Sequence, residues 1–244
     1  MTKMGNDIYI LREVPFMKLI ITILAILILA TLSAMPALSQ ASKYWQEKAD
    51  QLYINGSYED AAAAYYKAIE LNPSDAVLWN NHGIVLCFDL KDYQNAIKSF
   101  DKALELNSSF AEAWSNRGIA LFKIDRYEES ILSLSRATTL DPNSYESWTF
   151  LGLSHAKVGD YQNAINDFDK AIQINTSDAR AWNNKGLALE RVGNHNEALI
   201  AFDNALKVDS SYGIAWKNKA LALENLGRTS DSLVALSKAA ELGS

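Results

Sequence analysis

Acid–base, nucleophilic and metal chemistry at neutral pH fall mainly to histidine, cysteine and convergent carboxylates. This 244-residue chain holds three histidines and one cysteine. His82, His155 and His195 are far apart in sequence, and no pair has the one-turn spacing of a helical metal site. There is no Gly-rich phosphate loop and no nucleophile elbow, and Cys87 reads as a packed thiol. The carboxylates Asp101, Asp169 and Asp203 suit a solvated helix face. Neither an enzyme nor a bound cofactor is expected. The more telling polar residues are asparagines. Asn81, Asn116, Asn184 and Asn218 each stand two residues after a tryptophan, and Asn80 and Asn183 stand one residue after. Asparagine is a mediocre helix former, so its recurrence needs a cause. A carboxamide both donates and accepts, which is what an extended peptide backbone requires of a binding surface. The same groups could instead bond neighbouring helices to one another.

The tryptophans define the elements that carry these asparagines. Trp45, Trp79, Trp114, Trp148, Trp182 and Trp216 recur every 34 residues but for one interval of 35. Ala68, Ala103, Ala137, Ala171, Ala205 and Ala239 form a second ladder with the same single insertion. Four residues after each tryptophan comes a very small residue: Ala49, Gly83, Gly118, Gly152, Gly186 or Ala220. In the second half of each unit, spacings such as Ala164, Phe168 and Ala171 put small and large apolar residues on one helix face. Each unit thus reads as two amphipathic helices. Turns such as "VGDY" (158–161) lie within units, and "NPSD" (72–75) and "DPNS" (141–144) lie between them. A small residue at the helix crossing lets the aromatic of the second helix lie against the first. One hairpin cannot bury its apolar face alone, so the core must run from unit to unit.

Trp-x-x-x-Gly followed by Tyr-x-x-Ala-x-x-x-Phe-x-x-Ala resembles the tetratricopeptide repeat, and Trp148, Gly152, Tyr161, Ala164, Phe168 and Ala171 carry it in one unit. The resemblance implies an all-α, right-handed superhelical solenoid of six helix-turn-helix repeats, with a concave groove lined by the first helices. The expected boundaries are 42–75, 76–110, 111–144, 145–178, 179–212 and 213–244, after a leader over 1–41. Repeat 3 departs from the pattern with Ser130 and Leu134, and repeat 6 with Thr229, Ser232 and Leu236. The rather apolar last helix, "SLVALSKAAEL", is a candidate for self-association. The asparagine row resembles the asparagine ladder in the repeats of O-linked N-acetylglucosamine transferases, with "AEAWSNRG" (111–118) nearest to that type and Phe150 interrupting it. Phe88 and Phe122 mark an apolar stretch of the groove, while Arg180, Glu190, Arg191, Lys217 and Glu224 make its other end charged. The inserted residue lies in "LCFDLKDY" (86–93), where a lengthened turn is the expected outcome and a helix bulge the alternative.

The charge of −6 and the lack of a basic stripe argue against a nucleic-acid partner. Residues 19–38, "LIITILAILILATLSAMPAL", are almost continuously apolar, with Arg12 and Lys18 before them. This fits a secretory signal with a helix-breaking Pro36, cut before Ser42, and Met17 is an alternative start to Met1. The same run is long enough for a retained membrane anchor. Both readings place the repeats outside the cytoplasm. The expected function is a non-enzymatic adaptor that binds extended segments of other proteins. A structural or assembly subunit of a cell-envelope complex is the rival.

Overall fold

The computed structural model describes residues 15–243, side chains excepted at 15–18 and 27–34. Twelve α-helices and one π-helical segment make up the described residues, with no strand. The helices pair as α1 (Pro15–Ile54) with α2 (Tyr58–Leu71), α3 (Ala76–Ile84) with α4 (Tyr93–Leu106), and α5 (Ala111–Lys123) with α6 (Tyr127–Leu140). The later pairs are α7 (Tyr145–Lys157) with α8 (Tyr161–Ile174), α9 (Ala179–Arg191) with α10 (His195–Val208), and α11 (Gly213–Asn225) with α12 (Thr229–Glu241). Each helix packs on its neighbours in the chain, giving an α-solenoid of stacked hairpins.

The partners within each hairpin are held at close quarters by a missing side chain. A Cβ built on Gly152 would stand 2.8 Å from Phe168 Cε1, and one on Gly186 would stand 2.5 Å from Phe202 Cε1. Gly83 meets Phe100 in the same way, and Gly118 meets Leu134. The three phenylalanines and Leu134 are all but wholly buried. The tryptophans lie half-buried beside this contact and also tie down the loops between hairpins. Trp79 Nε1 donates to the carbonyl of Pro73 at 3.0 Å, and Trp148 does the same to Pro142 at 2.9 Å. Trp114, Trp182 and Trp216 bond Ser108, Thr176 and Ser210 likewise. The fixed interval of the tryptophans therefore reflects a hydrogen bond six residues back as well as packing.

Between hairpins, a side chain three residues after the tryptophan meets the preceding second helix. Arg117 pairs with Asp101 at 2.6 Å, Lys185 with Asp169 at 2.6 Å and Lys219 with Asp203 at 2.7 Å. These carboxylates are thus partnered as well as partly exposed. At the corresponding positions of the α6–α7 junction stand Leu151 and Ser135, so cation and acid have been replaced together. At the first junction the pair is His82 and Tyr66, with ring centroids 5.9 Å apart.

Two features differ from expectation. The inserted residue does not lengthen the turn. Each second helix is preceded, two residues earlier, by one residue at positive φ: Gly56, Lys91, Asp125, Gly159, Gly193 or Gly227. The turn of repeat 2 therefore matches the others, and the extra residue is taken up as the π-helical segment Val85–Asp89. Asp92 N then bonds Leu86 O at 2.8 Å and closes the turn as in the other hairpins. Pro36, expected to break the helix, lies inside α1. It removes one donor, and the leucine- and alanine-rich sequence around it keeps the backbone helical. Ser39-Gln40-Ala41, the expected cleavage site, is likewise within α1. Among the described residues no helix is long and apolar enough to cross a membrane. The apolar run 19–38 is described only in part, because the side chains of 27–34 lie outside the described residues.

Gly152→Ala forces a methyl group against Phe168, and denaturant unfolding should show a loss of about 1–3 kcal/mol, as for other overpacked cores. His82 gives a second expectation. Burial pushes its imidazole down to about 4 from 6.5, with Asp92 opposing, and Nδ1 meets Ser99 Oγ at 2.9 Å. The folded state thus favours the neutral ring. Stability from this site is full above pH 6.5 and declines as pH falls towards about 4, because the unfolded state takes up the proton first. His82→Leu should flatten the fall of melting temperature across that window. An unchanged slope would contradict the assignment.

Candidate functional site

The first helices touch one another directly across repeats, α5 with α7, α7 with α9 and α9 with α11, whereas the second helices share no contact of similar extent. The array therefore curves with its first helices on the inside. The expected asparagine row lies on this inner side, and the structure divides it.

Asn80 is 1 % exposed; its Nδ2 donates to Glu112 at 3.2 Å and its Oδ1 accepts from Asn116 Nδ2 at 3.1 Å. Asn183 is 2 % exposed and accepts from Asn218 Nδ2 at 2.8 Å. Asn81 lies beside the hydroxyl of Tyr65, which donates to Asp50. At the α5–α7 junction Ser147 Oγ donates to Ser115 Oγ at 2.8 Å, and Phe122 meets Phe150 edge-on at 5.4 Å. Most of the row is thus occupied in bonding one repeat to the next. Phe88 and Phe122 are half-buried, Phe88 against the cluster of Ile119, Leu134 and Leu151, and Phe122 against Phe150 and Tyr127.

Asn184 is different. In the pairs Asn80–Asn116 and Asn183–Asn218 the asparagine two residues after a tryptophan meets the residue one after the preceding tryptophan; for Asn184 that residue is Thr149, whose Oγ1 donates instead to Tyr145 O at 2.9 Å. Asn184 is half-buried and makes no hydrogen bond within the described residues. It lines a cavity of about 290 Å³ between α7 and α9, walled by Leu153, Ala156, Leu187 and Ala188, with Lys157 and Arg191 at its edge. An apolar floor beside one free carboxamide can take an aliphatic side chain and hold the adjoining peptide unit.

The remaining candidate groups are engaged elsewhere. Cys87 is 1 % exposed and burial pushes its thiol up to about 12, so it stays protonated. His155 Nδ1 meets Asp167 Oδ2 at 2.6 Å, and burial raises the Asp167 carboxyl above its ordinary range. His195 Nδ1 meets Glu190 Oε2 at 3.0 Å, and Asn225 donates to the same oxygen at 2.7 Å. The three histidines have separate partners and build no common site.

A row of cations along the groove was not read from the sequence. Lys123, Lys157 and Arg191 occupy the same position in three successive repeats, four residues before the next second helix. Counting back from the second helices, rather than forward from the tryptophans, would have found it and absorbed the inserted residue. Asp89 holds this position in repeat 2, and its Oδ2 is buried without a partner among the described residues.

The division of the asparagines is testable. Asn80→Ala strips the buried Asn116 amide of its acceptor and should cost about 1–3 kcal/mol in denaturant unfolding. Asn184→Ala removes no bond within the chain and should change stability by less than about 0.5 kcal/mol.

Comparison with known proteins agrees with this architecture. The family model described as TPR repeat matches residues 49–87, 86–125 and 157–193, and that described as tetratricopeptide repeat matches 111–144 and 179–212. No curated protein matches the sequence. The chain is similar to the crystal structure of YrrB, a TPR protein with an unusual peptide-binding site. Identity is 26 %, the TM-score 0.67, and the match covers 74 % of this chain and 93 % of that one. It is similar to the crystal structure of MamA at 28 % identity and a TM-score of 0.66, over 70 % of this chain and 93 % of that one. A tetratricopeptide repeat protein from Parabacteroides merdae ATCC 43184 shares the fold at 19 % identity, with a TM-score of 0.69 over 82 % of this chain and 78 % of that one. Repeat period, glycine–aromatic crossings, curvature and family models agree: the chain belongs to the tetratricopeptide repeat family, whose arrays are protein-interaction scaffolds.

Proposed function

We propose that the protein is a non-enzymatic adaptor that holds extended segments of other proteins in its concave groove. The observation that carries this is the α7–α9 junction, where Asn184 has no partner among the described residues and an apolar cavity lies beside it. The half-buried Asn184 amide is open to solvent, and a peptide backbone arriving there can take the place of water on it while its side chain fills the cavity. The half-buried Phe122 and Phe150 continue the apolar surface towards the N-terminal end of the groove. YrrB, similar in fold and in part in sequence, has a peptide-binding site, which supports the same use of the array here. The basic flank ahead of the apolar run 19–38 supports placing the repeats outside the cytoplasm, attached to a membrane or released from it.

A second reading, an assembly subunit, rests on the open end of the solenoid. Leu233 and Leu236 of α12 are 63 % and 43 % exposed, whereas the residues at the same positions of α8, Ile165 and Phe168, are buried under α9.

The two readings are separated by selecting binders from a library of short unstructured peptides and testing them against two variants. Leu187→Glu alters the groove, and Ile200→Glu alters the exposed side of a second helix. Groove binding predicts at least a tenfold loss for Leu187→Glu and little change for Ile200→Glu, both with native circular dichroism. Loss confined to Ile200→Glu, or a failure to select any peptide, would favour the assembly subunit.

A further inference from the structure

Lys123, Lys157 and Arg191 form a single row on the last turns of α5, α7 and α9. All three are exposed, and none makes an ion pair among the described residues. Elsewhere in the array some cations are matched, Arg117 with Asp101, Lys185 with Asp169, Lys219 with Asp203, Arg126 with Glu129 and Arg228 with Asp231. Others outside this row, such as Lys98 and Lys170, make no ion pair among the described residues. The row also faces the groove. Lys123 Nζ lies 5.7 Å from the ring centroid of Phe150 on the next first helix, and Lys157 and Arg191 border the cavity that holds Asn184. Of the groove carboxylates, Glu112 bonds Asn80 and Glu190 bonds His195 and Asn225, while Asp89 and Glu224 pair with none of the three cations. A chain of net charge −6 thus keeps three neighbouring groove cations without an ion pair among the described residues.

We propose that this row selects the partner segment by charge, and that the segment is extended, with a carboxylate at every third residue and apolar residues between. The inference rests on the groove reading above. Packed helices stand about 9 Å apart, which sets the interval between successive cations. A polyproline-II segment advances about 3.1 Å per residue with three residues per turn, so every third side chain returns to one face after about 9 Å. Carboxylates at that period meet Lys123, Lys157 and Arg191 in turn. The residues between them face Phe122, Phe150 and the cavity wall of Leu153 and Leu187.

The test measures binding of two fluorescent peptides to the full-length protein. One repeats Glu-Leu-Pro, and the other repeats Gln-Leu-Pro at equal length. The glutamate peptide should bind at least tenfold more tightly, with an advantage that shrinks as salt is raised. The triple variant K123Q/K157Q/R191Q should abolish the advantage while leaving circular dichroism and melting temperature unchanged. Equal binding of the two peptides, a preference that survives the triple variant, or no binding of either would overturn the proposal. Leu187→Glu separates it from the groove reading. If both peptides bind alike and both are lost in Leu187→Glu, the groove stands and the charge row falls. If binding is indifferent to Leu187→Glu, both fall.

Discussion

The whole array depends on one short distance, that between the backbone of a glycine on a first helix and the face of a large side chain on the second. With a Cβ at Gly83, Gly152 or Gly186 the phenylalanine opposite would be closer than 3 Å, so helix separation within a hairpin is set by hydrogen atoms alone. Close separation lets Phe100, Phe168 and Phe202 be buried completely, and it fixes where each tryptophan can reach the loop behind it. The first and last repeats carry alanine instead. Ala49 still leaves Tyr65 opposite it 5 % exposed, so the 43 % exposure of Leu236 opposite Ala220 reflects the open face of α12 rather than the alanine.

Stacking the hairpins is a separate problem, solved junction by junction. The outer contact uses a cation and a carboxylate three times, a leucine and serine once, and two aromatic rings once. The inner contact uses asparagine pairs at α3–α5 and α9–α11, and serines with phenylalanines at α5–α7. At α7–α9 this inner series stops, because Thr149, at the position of Asn80 and Asn183, bonds its own helix at Tyr145 O. The break leaves Asn184 without a partner among the described residues, beside the cavity. Structural and binding roles are therefore divided among residues of one type by what stands next to each in the neighbouring repeat.

That division explains how far the sequence could be read. Period, hairpins and glycine–aromatic crossings were legible because each is a local pattern repeated along the chain. The roles of Asn80, Asn116 and Asn184 were not, because they depend on side chains about 34 residues away that the repeat pattern leaves free to vary. The inserted residue was located in sequence, but its form was not. A π-helical segment and a longer turn occupy the same residues, and only the positive φ of Lys91, in register with Asp125, separates them. Pro36 was misread for a simpler reason. Proline weakens a helix by one bond, and a long helix with strong neighbours on both sides can lose one.

Beyond Pro36, helix α1 runs without a further proline through Leu38 and Trp45 into the first repeat. A rigid rod fixes direction as well as distance. Each residue turns an α-helix by about 100° and lifts it about 1.5 Å, so the compass heading of the groove is set by residue count from wherever the rod is held. One residue more or less between Leu38 and Trp45 would swing the groove by more than a quarter turn while barely altering its height. Adding four residues would raise it by about 6 Å and bring the heading back to within about 40°.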